Sequence, residues 1–215
     1  MPASDRAKSI TMRTIDLDTP HGPARAYLRP HADAHAALTL GHGAGGGVSA
    51  PDLQAAARAA ALLEMSVVLV EQPYRVAGRR SPAPAHHLDA AWRAVVQQLR
   101  REEVAGLPLV AGGRSAGARV ACRTAEAVGA VGVLCLAFPL HPLGRPNAPS
   151  RIAELDGVAV PTLVVQGERD PFGMPPAGPR RAVVQVAGDH GLKADLAGVE
   201  TAVRDWLSGV LALSR

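Results

Sequence analysis

The stretch Leu107-Pro108-Leu109-Val110-Ala111-Gly112-Gly113-Arg114-Ser115-Ala116-Gly117 decides the fold. It passes from a short apolar run, expected as a buried strand over 107–111, into Gly113-Arg114-Ser115-Ala116-Gly117, a G-x-S-x-G, and then into a helix beginning near Ala116. A serine at a sharp strand-to-helix turn needs a strained backbone, and small residues two before and two after it let strand and helix close on each other. The same turn puts Ser115 at a helix N-terminus, where backbone N–H groups and the dipole favour developing negative charge. Taken alone, the pentapeptide equally suits a glycine-rich loop that holds a phosphate or only turns the chain, so its surroundings decide.

Upstream, Gly41-His42-Gly43-Ala44-Gly45-Gly46-Gly47 follows the apolar run 37–40. A loop of this kind aims a backbone N–H at the oxygen of a tetrahedral intermediate; Gly43 or Ala44 supplies it, with Ala116 as the second donor. A phosphate loop is disfavoured because the Walker lysine and the G-x-G-x-x-G spacing are missing. Downstream, Asp170 follows the run 161–166 and His190 follows the run 182–186. The chain order serine, acid, histidine is that of α/β-hydrolases, and all three residues stand at carboxyl ends of expected strands. Ser115, Asp170 and His190 are therefore the candidate nucleophile, acid and base.

Glu168 is an alternative acid, whereas Asp189 adjoins His190 and is badly placed to orient it. His21, His31, His35, His86 and His87 lie in polar or turn-rich surroundings and read as solvated, and His141 as a pocket wall. Four residues are candidate substrate contacts: His42, which also supports its glycine loop, Tyr74 and Arg75 after the run 66–71, and Phe138 after the run 131–137. Arginine here suits a substrate carboxylate or phosphate, although a solvated basic loop including Arg79 and Arg80 explains it as well. Plain packing explains Phe138 equally.

Around these motifs the chain alternates. An antiparallel hairpin is expected over 11–16 and 24–29, then buried strands at the runs already named. Between them lie helical stripes at Leu53, Ala56, Ala57, Ala60 and Leu63, at Leu88, Ala91, Trp92, Val95 and Leu99, and at Val199, Ala202, Val203, Trp206 and Val210. This predicts an α/β class fold: one domain over 1–215, with about eight strands in a mostly parallel sheet and helices on both faces. Loops over 73–84, 139–149 and 171–181 follow strands and form the expected rim of a site. The interval between the strands ending near Ala137 and starting at Pro161 has room for one brief helix near 151–155, so no large lid is expected and the substrate is small.

The 215 residues are 47% hydrophobic and 20% charged, enough for a core without disulfides or metal. The net charge is +4, but aromatics are 3% and only Lys8 and Lys193 are lysines, so no nucleic-acid partner is expected. No apolar run reaches membrane-spanning length and residues 1–14 do not read as an export signal, so a soluble cytoplasmic protein with no membrane partner is expected. Cys122 and Cys135 lie in apolar segments and read as reduced buried thiols. The pair His86-His87 lacks companions for a metal site.

The set Gly41-His42-Gly43-Ala44-Gly45-Gly46, Tyr74-Arg75, Gly113-Arg114-Ser115-Ala116-Gly117-Ala118-Arg119, the segment from Gly167 to Gly173, and Gly188-Asp189-His190 resembles a compact bacterial α/β-hydrolase family. That family is related to the testis-expressed and NSL-complex-subunit hydrolase-like proteins, and distantly to dienelactone hydrolases. The resemblance implies the α/β-hydrolase fold and the same three residues as nucleophile, acid and base. Since dienelactone hydrolases carry Cys where this chain has Ser115, their lactone chemistry is not implied. The expected activity is cleavage of a small ester or related acyl substrate through an acyl-enzyme, without cofactor or metal; the oligomeric state is left open. The alternatives are a non-catalytic binding protein of the same fold, and a transferase or peptidase on the same machinery.

Overall fold

A computed structural model describes residues 12–145 and 147–213, save the side chain of residue 213. The order of elements is β1 (Arg13–Leu17), β2 (Ala24–Arg29), β3 (Ala37–Gly41), α1 (Pro51–Ala61), β4 (Ser66–Glu71), α2 (Pro73–Val76), α3 (Ala85–Glu102), β5 (Leu109–Arg114), α4 (Ala116–Thr124), β6 (Ala130–Leu136), α5 (Ile152–Asp156), β7 (Thr162–Gly167), β8 (Arg181–Val186) and α6 (Leu196–Leu213). The expected hairpin residue Thr11, and most of the segment read for an export signal, lie outside the described residues, as does Pro146 in one expected rim loop.

The eight strands form one sheet in the order β1-β2-β4-β3-β5-β6-β7-β8. β1 and β2 pair antiparallel, β2 meets β4 antiparallel, and every other pairing is parallel. Alternate strand residues feed two cores. Val68, Val70, Leu109, Ala111, Val133 and Val164 pack with α3, α4 and α5, whereas Leu38, Leu40, Val67, Leu69, Val110, Leu134 and Val165 pack with α1 and α6. Burial on both faces is why these strands are continuous apolar runs rather than alternating ones. No helix of the described residues is long and apolar enough to cross a membrane.

Several strand ends lie one or two residues from expectation, and two boundaries differ for reasons visible in the packing. β5 begins at Leu109 and continues through Gly112 and Gly113, which read as turn residues in sequence. Glycine is required inside the strand because a Cβ on Gly112 would lie 2.6 Å from the carbonyl oxygen of Leu134. Helix α1 stops at Ala61, so Leu63 lies beyond it, in the turn where Glu64 takes a φ of 55°. Cys122 and Cys135 are free and buried with their Sγ atoms 3.4 Å apart, and this hydrogen bond, together with burial, pushes the Cys135 thiol well above its ordinary range.

Between β6 and β7 the described chain forms only the five-residue α5, so no lid-like domain covers the carboxyl edge of the sheet. That edge carries the ends of β3, β4, β5, β7 and β8, and with them every residue of the site.

Candidate active site

Ser115 occupies the bend between β5 and α4 with φ 52° and ψ −108°, a backbone conformation that costs an L-residue energy and persists only when its surroundings enforce it. Here the enforcement is close packing. A Cβ on Gly113 would lie 2.6 Å from the carbonyl oxygen of Gly41 and 2.7 Å from the carbonyl carbon of Gly117, and a Cβ on Gly117 would run into the carbonyls of Gly41 and His42. The first and last positions of G-x-S-x-G are thus contact points of three backbones. Gly117→Ala is expected to destabilise the protein by about 1–3 kcal/mol, the usual cost of overpacking, and to displace the loop at 41–43; urea denaturation measures it.

The three predicted side chains meet. His190 Nε2 lies 3.0 Å from Ser115 Oγ, and His190 Nδ1 lies 2.8 Å from Asp170 Oδ2. With Nδ1 donating to the carboxylate, Nε2 is left to accept the serine proton. The Asp170 side chain is fully buried, that of His190 17% exposed. The Phe172 ring lies against the imidazole, centroids 4.2 Å apart.

Gln166, on β7, holds the acid. Its Nε2 donates to Asp170 Oδ2 at 2.8 Å, to the carbonyl of Gly173 at 2.9 Å and to that of Phe138 at 3.1 Å, while Phe172 N–H donates to Asp170 Oδ1 at 2.9 Å. Sequence reading missed Gln166; its only signal was a polar residue closing an apolar strand four positions before Asp170. Phe138 is corrected by the structure: it is fully buried in the core, so its contribution near the site is its carbonyl rather than its ring. Glu168 is exposed, and Asp189 Oδ1 accepts from the N–H of Gly191, so neither rival acid meets His190.

The glycine loop after β3 is braced from below. His42 is buried; its Nδ1 donates to the carbonyl of Gly43 at 2.8 Å and its Nε2 accepts the N–H of Gln72 at 3.0 Å. Tyr74, also buried, donates its hydroxyl to the carbonyl of Ala44 at 2.9 Å, and burial pushes its phenol up to about 12, so it remains a donor. Both residues hold the loop, the role that the sequence suggested for His42 beside substrate contact, whereas Tyr74 was read as a substrate contact alone. No backbone carbonyl among the described residues takes the N–H of Gly43 or of Ala44, which leaves both available beside Ala116. Arg75 is half-buried, and its Nε has no acceptor among the described residues.

Burial holds the His42 imidazole below its ordinary range. The unfolded chain therefore binds a proton that the folded one resists, and stability present above about pH 6.5 is lost as the pH falls below it. The slope is at most about 1.4 kcal/mol per pH unit, the value for one proton. Urea denaturation at successive pH values is expected to show it in the wild type and a shallower slope in His42→Gln.

Arg114, the variable residue before Ser115, joins three loops. Its Nη2 donates to the carbonyl of His190 at 2.8 Å, its Nε lies 2.8 Å from Asp52 Oδ2 but outside hydrogen-bond alignment, and its Nη1 sits 2.8 Å from where a Gly43 Cβ would be. Asp52, in the first turn of α1, is fully buried, and its burial pushes the carboxyl above the usual range while Arg114 opposes this. The second elbow arginine, Arg119, binds Glu154 of α5 through two nitrogens at 2.8 and 2.5 Å. No group of three or more His, Cys, Asp or Glu among the described residues is arranged to hold a metal ion.

The sequence profile of the family described as alpha/beta hydrolase domain matches residues 34–197. Comparison with curated proteins finds no match. Among solved structures, an α/β serine hydrolase without lid from Xanthomonas campestris is 21% identical, with a TM-score of 0.72 over 92% of this chain and 94% of that one. Est1E from Butyrivibrio proteoclasticus is 15% identical, with a TM-score of 0.74 over 93% and 99%. A dienelactone hydrolase from Anabaena variabilis is 14% identical, with a TM-score of 0.71 over 93% and 97%. At these identities the likeness establishes the fold.

Proposed function

The chain belongs to the alpha/beta hydrolase domain family, and from that premise we propose that it is a serine hydrolase cleaving a small ester or related acyl substrate through Ser115, His190 and Asp170. The observation that carries this reading is the continuous line from Asp170 Oδ2 through His190 to Ser115 Oγ, with contacts of 2.8 and 3.0 Å. Ser115 Oγ attacks the acyl carbonyl as His190 Nε2 takes its proton; Asp170 keeps Nδ1 protonated and stabilises the imidazolium. The N–H of Ala116 and that of Gly43 or Ala44 receive the oxyanion. His190 returns the proton to the leaving alcohol, and water activated by the same imidazole releases the acid.

The lidless edge supports a small or surface-presented substrate, and the likeness to Est1E and to other esterases supports ester chemistry. The two free buried thiols support a reducing, cytoplasmic setting. The narrower kinship with the testis-expressed and NSL-complex hydrolase-like proteins is part of this reading and rests on Gly113-Arg114-Ser115-Ala116-Gly117-Ala118-Arg119.

A fluorophosphonate probe tests the proposal. The wild type is expected to label stoichiometrically, with the adduct on the peptide containing Ser115 by mass spectrometry. A folded wild type that takes no label, or labels elsewhere, refutes it.

A further inference from the structure

Two spaces with walls in common lie near the elbow that carries the candidate nucleophile. A cavity of about 530 Å³ opens beyond the carboxyl end of β4, with Pro73, Ala83, Pro84 and Leu88 among its apolar walls. A narrow slot of about 10 Å³ shares the walls Gln72, Tyr74 and Leu88 with it and is closed by His42, Trp92 and Ala116, the residue following Ser115. Two residues of the slot's walls each carry a polar atom that has no partner among the described residues: Gln72 Oε1, an acceptor, and Trp92 Nε1, a donor. Gln72 is 6% exposed and Trp92 1%, so neither side chain has free access to bulk water.

The orientation of Gln72 is set by its neighbours. Its Nε2 donates to the carbonyl of Leu88 at 3.3 Å; turning the amide over would bring two oxygens face to face. The acceptor therefore stays unpaired until something enters the slot, and a buried polar group without a partner is unfavourable. A space of this size takes about one hydroxyl or water. Among small substituents, a hydroxyl satisfies both walls, because it donates to Gln72 and accepts from Trp92. A ketone answers Trp92 alone, an ammonium Gln72 alone, and a methyl neither.

We propose that the slot binds a hydroxyl carried by the substrate's acyl group, so that the protein selects hydroxylated acyl esters over their deoxy analogues. The carbon chain lies in the larger cavity, and a water holds the slot until the substrate displaces it. Arg79, at the exposed rim of the cavity, contributes little to this choice because its charge is solvated. The proposal rests on the hydrolase reading for the identity of the ligand as an acyl group.

The test compares activated β-hydroxybutyryl and butyryl esters, and lactyl and propionyl esters, on wild type, Gln72→Met and Trp92→Phe, each variant checked for folding by circular dichroism. The wild type is expected to favour at least one hydroxylated ester by about tenfold or more in kcat/KM, since a site built to bond a hydroxyl discriminates strongly against its absence. That ratio is expected to collapse toward one in both variants. Equal kcat/KM within both pairs on the wild type, or a preference that survives both substitutions, overturns the proposal. If no ester is turned over, the hydrolase reading fails separately, and saturation-transfer NMR with β-hydroxybutyrate against butyrate then decides the slot. Stronger wild-type binding of the hydroxy acid, lost in Gln72→Met, upholds it, and indifference overturns it.

Discussion

Replacing Ser115 or His190 by alanine is expected to lower kcat on any ester that the wild type cleaves by about 10⁶, and the double variant to be no worse than either single one. The reason is the geometry of a single relay. His190 Nε2 touches only the hydroxyl it is to deprotonate, 3.0 Å away, and without either member no proton leaves Ser115. Asp170→Asn is expected to cost less, about 10⁴, because the amide leaves the imidazole in place but favours the wrong tautomer. Steady-state kinetics with an activated ester measures all four variants. Losses that multiply in the double variant would show two independent contributions and defeat the relay.

Arg114→Ala is expected to destabilise the protein by about 3–5 kcal/mol, the cost of leaving one partner of a buried ion pair alone. Asp52 is fully buried and already held above the usual carboxylate range, so removal of its counter-ion leaves it to take up a proton or to admit water into the base of the site. The variant also frees the carbonyl of His190 and opens space against Gly43. Asp52→Asn in the Arg114→Ala background is expected to recover much of the loss, because an uncharged amide has no unpaired charge to bury. Urea denaturation of wild type, single and double variants measures the cycle. A loss below about 1 kcal/mol would mark the pair as no more than an exposed one.

How much of this was legible in the chain depends on the distance over which each feature is determined. The eight strands and the three principal helical stripes follow from apolar periodicity, with several strand ends off by one or two residues and those of β5 and α1 misplaced for reasons of packing and turn geometry. Gly112 and Gly113 read locally as a turn, yet the approach of Leu134 and Gly41 makes them strand residues. The assignment of Ser115, Asp170 and His190 followed from a local bend and from chain order, and the geometry brings all three together.

The misreadings and omissions share another cause. Phe138 stands two residues beyond β6 near the site, but past Ala137, with its φ of 50°, its ring packs into the core between the sheet and α3 to α5. Tyr74 was offered as a substrate contact, but its hydrogen bond to Ala44 faces it toward the glycine loop, where His42, read also as a support of that loop, bonds Gly43. Asp52, Gln166 and Gln72 went unread, because nothing in the adjacent sequence shows which buried groups they meet.

The sequence by itself determined the layered sheet, its order of elements and the three side chains proposed as nucleophile, acid and base. Those depend on periodicity and on the bending of a few adjacent residues, which are local properties of the chain. Only the tertiary structure decided that Arg114 meets Asp52 and the carbonyl of His190, that Gln166 grips Asp170, and that Gln72 and Trp92 face one slot. The contacts of Arg114 join elements far apart in the chain, and even between near neighbours such as Gln166 and Asp170 side-chain direction and buried partners exist only once the helices have packed onto the sheet.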